Sequence, residues 1–363
     1  MAVPIDVRLR PVWRFRNNEE RELDLGLLAL LEAIEQTGKL TAAARAAGMS
    51  HRHAWNLMER WSDFLGAPLV AIERGRGTRL SPLGAKLLWA GKRTMARLEP
   101  QLDNLAAELM DSLTGAVPGD LPVLRVHASH DFVLGRLRQI VARTHAFAID
   151  LRYRGSAEAL TALRRGTCDL AGFHVIEGPL GRPAAERYAE ALGTEAHRLI
   201  WIATRVQGLI VAHDNPKGIA GVQDLARPGV RFVNRQRDSG TRMLFDQLLA
   251  REGLEPARID GYEDEEHTHA AVAAHVASGQ ADAGLGIEAA ALQFQLGFLP
   301  IATERYFLAV HKDALEKPEV KLLIGLLRGD EFHDVVVGVH GARGHRTGDV
   351  SQVRDVPPWD KLA

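Results

Sequence analysis

The residues best equipped for chemistry lie in NRQRDSGTR, residues 234–242. Ser239, Gly240 and Thr241 open a helical pattern, with Arg235, Arg237 and Arg242 around them. A helix start offers unpaired N–H groups and the positive end of the helix dipole. Glycine lets the backbone come close, and guanidinium forks grip oxyanions bidentately. The stretch therefore reads as an anion cradle. Ser129 and Ser156 stand in the same relation, each after a strand pattern and before a helix pattern. Three such starts can share one cleft, although each hydroxyl alone could be an ordinary N-cap. Tyr306 and His174 are further candidates to line it. His130 and Asp131 follow Ser129 directly, and consecutive side chains point in different directions, so no catalytic triad is expected there. Both are expected at the cleft mouth instead. His267 and His269 beside Glu265 and Glu266 carry only a weak metal-ligand spacing, and no metal site is expected. No base is paired with a nucleophile, so neither an enzyme nor a cofactor is expected.

A second set of polar residues lies in LTAAARAAGMSHRHAWNLMERWSDFL, residues 40–65. Thr41 and Ser50 are expected to cap two short helices joined by a turn. On the second, Ala54, Leu57, Met58, Trp61 and Leu65 form an apolar stripe. His51, Arg52, His53, Asn56 and Arg60 are polar residues near its N-terminal half, where a recognition helix reaches base edges. Arg74, Arg76 and Arg79 decorate a glycine-rich hairpin that follows, suited to phosphate and minor-groove contacts. From Lys39 to Arg97 there are eleven Lys/Arg against three Asp/Glu (Glu59, Asp63, Glu73), on a chain whose net charge is −1. A basic segment on a near-neutral chain is the footprint of a double-stranded DNA partner.

Elements must place these groups. Asp24 caps and Gly38 stops a first helix over 24–38, and Pro82 to about Leu113 reads as one long helix. GAVPGD at 115–120 is a linker. Strand and helix patterns then alternate, which argues for parallel sheets with helices on both faces. Residues 199–212 read as a pair of strands or one long one. The chain of 363 residues should hold two or three domains, and 46% apolar with 25% charged residues is ordinary for a globular protein. One cysteine, Cys168, excludes a disulfide framework. No apolar run is long enough for a membrane helix and no secretory signal is visible, so a cytoplasmic protein without a membrane partner is expected.

Residues 24–113, through LLEAIEQTGKLTAAARAAGMSHRHAWNLME and RGRGTRLSPLG, resemble the winged helix-turn-helix of LysR-type and molybdate-responsive ModE-type regulators. Most of 121–312, through ASHD, GSAEALTALRRGTCDLAGFHV, RFVNRQRDSGTR, HAAVAAHVASGQADAGLGIEAAA and ERY, resembles the periplasmic-binding-protein-like domain of molybdate- and tungstate-binding proteins. The resemblance implies an α/β protein: a DNA-binding domain over 1–81, a dimerisation and linker helix over 82–118, and a two-lobed ligand domain over 119–340. Lobe I would take about 121–207 and 300–340, and lobe II about 208–299. The Gly-, Arg- and Asp-rich remainder, 341–363, is expected to be a flexible tail. A homodimer or tetramer on a palindromic site would then sense a small oxyanion, molybdate or tungstate. A small carboxylate such as formate uses the same donors, and a cytoplasmic oxyanion buffer is a further alternative.

Overall fold

The computed structural model describes residues 7–73, 77–114, 121–144, 146–193 and 195–361. The chain divides into two compact units, Arg10–Ala96 and the residues from Arg97 onward.

The first unit opens with a hairpin, β1 (Arg14–Arg16) and β2 (Glu20–Glu22). Helix α1 (Leu25–Thr37) starts where Asp24 accepts from the Gly26 N–H and stops at Gly38, which has φ 64°. Helix α2 (Leu40–Ala46) does not start at Thr41 as expected. Its N-cap is Lys39, which makes no side-chain bond, because buried Leu40 joins Ala43 and Ala44 on the inward face. Helix α3 (His51–Leu65) is capped by Ser50, whose side chain accepts from the His53 N–H. Strands β3 (Val70–Glu73) and β4 (Gly77–Leu80) pair antiparallel. The Thr78 N–H donates to the Gly38 carbonyl at 2.8 Å, and a Cβ on Gly77 would lie 2.3 Å from that oxygen. Glycine is required there for the wing to dock on the α1–α2 turn. Helix α4 (Pro82–Thr114) runs as one element, as expected. Its Leu87 and Leu88 are buried in the core formed by α1 to α3 around Trp61, so this unit extends beyond residue 81 to 96.

The second unit holds β5 (Val123–Ala128), α5 (Phe132–Thr144), β6 (Ala148–Tyr153), α6 (Ser156–Arg164), β7 (Leu170–Ile176), α7 (Arg182–Leu192) and β8 (His197–Val211). Then follow β9 (Phe232–Arg235), α8 (Gly240–Arg251), β10 (Glu265–Glu266), α9 (His269–Ala277), β11 (Ala283–Ile287), α10 (Glu288–Gln293), β12 (Gly297–His311), α11 (Pro318–Arg328), α12 (Asp330–Val337), β13 (Ala342–Arg343) and β14 (Val350–Gln352). They form one curled sheet in the order β10-β9-β11-β8-β12-β7-β5-β6, shared by two lobes. The three-stranded ends are parallel, as the alternating pattern implies. The centre is antiparallel: β8 is one 15-residue strand, paired along its whole length with β12, so the two lobes share a spine rather than having separate parallel sheets. The β8–β12 register slips between Pro300 and Ala302, opposite Gly208, where a Cβ would lie 2.1 Å from the Leu299 carbonyl.

The stretch expected to be a flexible tail is instead part of the fold. β11 pairs with β8 only at residues 207–211, which leaves the far half of that edge open. β13 and β14 fill it at Thr204–Arg205 and Arg198–Ile200. Val353, Val356 and Trp359 then recur every third residue, the period of 3-10 turns, and bury against Phe173, Tyr188 and Phe307. The Trp359 Nε1 donates to the Ala185 carbonyl at 3.1 Å. Polar composition hid three anchors that share one face. No helix among the described residues is long and apolar enough to cross a membrane.

Candidate functional site

A cavity of about 260 Å³ lies in the second unit, where β8 and β12 cross between the lobes. Helix starts converge on it. Ser129 and His130 enter it from the end of β5, just before α5; Gly155 and Ser156 from the start of α6; Ser239, Gly240 and Thr241 from the start of α8; and His267 and His269 from the start of α9. Arg235, His174 and Glu304 also line it. The amides of Gly240 and Thr241 sit in the first turn of α8, where no preceding helical carbonyl can accept from them. Gly240 itself is not demanded by the protein's own packing, since a Cβ there would meet only the Tyr188 hydroxyl at 4.0 Å.

Three expected ligand groups are placed elsewhere. Arg237 is exposed and donates to Glu263 at 2.8 Å. Arg242 is buried beneath the cradle, donating to Asp246 and Glu265 at 3.2 and 3.1 Å and lying 4.1 Å over the Tyr262 ring. Tyr306 is buried, stacks on the His174 ring at 3.9 Å, and donates to the Ser129 carbonyl at 3.4 Å. It shapes the cavity floor without lining it. The Ser239 hydroxyl is already engaged, accepting from the Arg242 N–H and donating to the Gln236 carbonyl, so it works as an N-cap. Glu265 and Glu266 turn to Arg242, Arg97 and His275 rather than to the histidines that line the cavity.

The strongest charges in the site are ones the sequence reading passed over. Arg205, on β8, is buried and donates to Asp131 at 2.5 Å and to Glu304, on β12. The Gln207 Nε2 donates to the other Glu304 oxygen at 2.6 Å. Burial alone would raise the Glu304 carboxyl, but Arg205 and His174 outweigh it and hold it below the usual range; Arg205 does the same for Asp131. Ser129 Oγ lies 2.8 Å from His174 Nδ1, and His174 Nε2 lies 3.6 Å from Asp131. That order resembles a Ser–His–Asp chain, with His174 where the sequence offered His130. Asp131 is committed to Arg205 and to the Val133 N–H at 2.7 Å, and burial with Arg205 nearby pushes His174 down, so it is a weakened base. A signal for these residues did exist: Arg205 is the one charge in the run 199–211, and Glu304 with Arg305 interrupts the run 297–310, each run long enough for a central strand.

Arg235 differs from Arg205. It is 7% exposed, and its Nε and Nη2 donate to the carbonyls of Glu266 and His267, at 3.2 and 3.0 Å. Its Nη1 is buried with no partner, as are Gln207 Oε1 and His269 Nδ1. Burial, with Arg205 close by, pushes the Arg235 guanidinium down to about 10. Burial first, then the Arg235 and Arg205 cations, hold His130 at about 4 and His269 well below its usual value. A buried cation this poorly compensated is stabilised by an anion beside it.

The first unit presents a separate surface. His51, Arg52, His53, Asn56 and Arg60 are all exposed on α3, opposite buried Ala54, Leu57, Met58 and Trp61. Thr41, Ser50 and Arg79 are exposed too. Arg74 and Arg76 lie outside the described residues. Arg21 donates to the Arg60 carbonyl at 2.8 Å and covers the Phe64 ring at 4.8 Å, which fixes the C-terminal half of α3.

Comparison with known proteins agrees with both halves. Residues 137–328 match the PBP superfamily domain, and residues 25–85 match the bacterial regulatory helix-turn-helix protein, lysR family. The uncharacterized protein YvgK of Bacillus subtilis is 34% identical over 201 residues, 55% of this chain; the chain spans 64% of YvgK's length. The molybdenum transport protein ModE of Herbaspirillum seropedicae is 40% identical over 70 residues, 18% of this chain and 26% of that protein. Among solved structures, an OxyR C206 mutant of Corynebacterium glutamicum aligns over 87% of this chain and 93% of its own, at 18% identity and a TM-score of 0.44. The chain belongs to the PBP superfamily, and its first unit carries a helix-turn-helix that matches the bacterial regulatory helix-turn-helix protein, lysR family, over residues 25–85.

Proposed function

We propose that this protein is a LysR-type DNA-binding transcriptional regulator rather than an enzyme, and that it senses a small anion, molybdate or tungstate, in the cavity between its lobes. The observation that carries the reading is Arg235: a buried guanidinium lining the cavity, with Nη1 unpartnered, beside the starts of α6 and α8. A tetrahedral oxyanion would accept from Arg235, from the amides of Gly240 and Thr241, and from the hydroxyls of Ser129, Ser156 and Thr241. The similarity to ModE supports molybdenum as the element. Binding acts on transcription by favouring one lobe arrangement over the other, since a ligand shifts an equilibrium only through differential affinity. The exposed α3 face reads base edges, and the protein works as a homodimer or tetramer on a palindromic site in the cytoplasm.

A second reading keeps the sensor and makes the signal a carboxylate. Gln207 Oε1 favours a carboxylate that also carries a hydroxyl, because that buried acceptor calls for an O–H or N–H on the ligand, which a deprotonated metal oxyanion and a bare carboxylate such as formate both lack. Thermal unfolding with sodium molybdate, tungstate, sulfate, phosphate, formate and a hydroxycarboxylate separates the two. A ligand of the folded state raises its stability in proportion to the logarithm of saturation. A rise with molybdate or tungstate supports the first reading, a rise with carboxylates alone moves the signal, and no rise with any anion overturns both.

A further inference from the structure

Helix α4 supplies a wall of the cavity through Arg97, Pro100, Gln101 and Asn104. Two of these residues are tied to opposite lobes. The Arg97 Nε donates to Glu266 Oε2 at 2.7 Å. Glu266 lies on β10, is fully buried, and is held from its other oxygen by His275 Nδ1 at 3.1 Å. Asn104 donates to the Tyr153 carbonyl at 3.0 Å and accepts from the Tyr153 N–H at 2.7 Å, at the end of β6. Seven residues of helix span on the order of 10 Å. The helix thus bridges β6 of one lobe and β10 of the other.

Each tie adjoins groups that face the ligand. The residue after Glu266 is His267, and Arg235 donates to the Glu266 carbonyl. The residues after Tyr153 lead to Gly155 and Ser156 at the start of α6. Arg97 is half-exposed and has further N–H groups to offer an anion. Pro100 lies between the ties and removes an N–H from the helical ladder, which makes this the turn that bends most readily.

We propose that α4 completes the effector site and serves as a strut between the lobes, through which a bound anion acts on the DNA-binding unit. The anion in this statement rests on the function proposed above, whereas the strut rests on the two ties. When the lobes approach, the spacing between Glu266 and Tyr153 changes, and a helix of fixed rise cannot follow it. One tie releases, or α4 bends at Pro100. The helix begins at Pro82 inside the winged-helix unit, so the displacement travels along one continuous element. Arg97 and Asn104 are positioning residues in this scheme.

The test uses the full-length protein and a fluorescent duplex that the unaltered protein has selected from random sequence. DNA affinity is measured without ligand and with saturating sodium molybdate for the unaltered protein, Arg97→Gln, Asn104→Ala and Arg97→Lys, with thermal unfolding as a check that each is folded. Arg97→Gln and Asn104→Ala should each shift the ligand-free Kd about fivefold or more, a usual size for coupling between sites. Both should lose the shift that molybdate produces, and Arg97→Lys should restore both behaviours. DNA affinities equal to the unaltered protein's, or a molybdate shift retained in either variant, would overturn the strut. A protein unmoved by molybdate whose variants still shift ligand-free DNA affinity would remove the anion and support the strut.

Discussion

The two units carry their candidate functional residues in opposite ways. On α3 the polar residues stand in solvent above an apolar stripe, held by packing they take no part in. In the cavity, Arg205, Asp131 and Glu304 are buried and are themselves the packing. The first arrangement separates stability from function, so its contact residues can change with little effect on folding. The second fuses them, because a buried charge whose partner is lost is left uncompensated in a low-dielectric site.

The sharpest way to break this comparison is Arg205→Leu. It strands two buried carboxylates and should cost about 3–5 kcal/mol in urea unfolding; a loss within the range of a surface substitution would mean that Asp131 and Glu304 are not held as described. Trp359→Ala removes the last anchor of the C-terminal stretch and should cost a similar ~3–5 kcal/mol, read by the same titration. An unaffected midpoint would return residues 350–361 to the status of a loose extension. Arg52→Ala and Asn56→Ala should each lose about 1–3 kcal/mol of DNA affinity by fluorescence anisotropy, with unfolding unchanged.

The pH dependence tests the same contrast. His130, His174 and His269 are held below the usual imidazole value, so as pH falls the unfolded chain takes up protons before the folded one does. Their contribution is complete above the unfolded value of 6.5 and is lost as pH drops below it. Asp131 and Glu304 are also lowered, but their contribution fades only further down, in the carboxylate range. The melting temperature should therefore fall between pH 7 and about pH 5. A bound anion should reduce that fall, because it favours the protonated imidazoles.

The same contrast explains what was readable in advance. Local signals were sufficient for Asp24, Gly38, Ser50 and the α3 stripe, because caps and helical periodicity act over a few residues. The convergence of Ser129, Ser156, Arg235 and the start of α8 followed from a repeated strand-to-helix pattern. Arg205 and Glu304 meet only because β8 and β12 pair in one register, and nothing within either strand states that register. Arg242 leaves the cleft because successive residues of a helix turn by about 100°, which takes it off the side that Gly240 and Thr241 present to the cavity and toward Asp246 and Glu265. The tail was misread because an open edge on β8, a property of the sheet as a whole, is what recruits it.

The most direct test of the central claim is the DNA affinity of the unaltered protein and of Arg235→Ala, each with and without saturating sodium molybdate. The account predicts that molybdate changes the Kd of the unaltered protein about fivefold or more. Arg235→Ala should bind DNA as well as the ligand-free protein and ignore the anion. If Arg235→Ala still responded to molybdate in full, the cavity between the lobes would not be the sensing site.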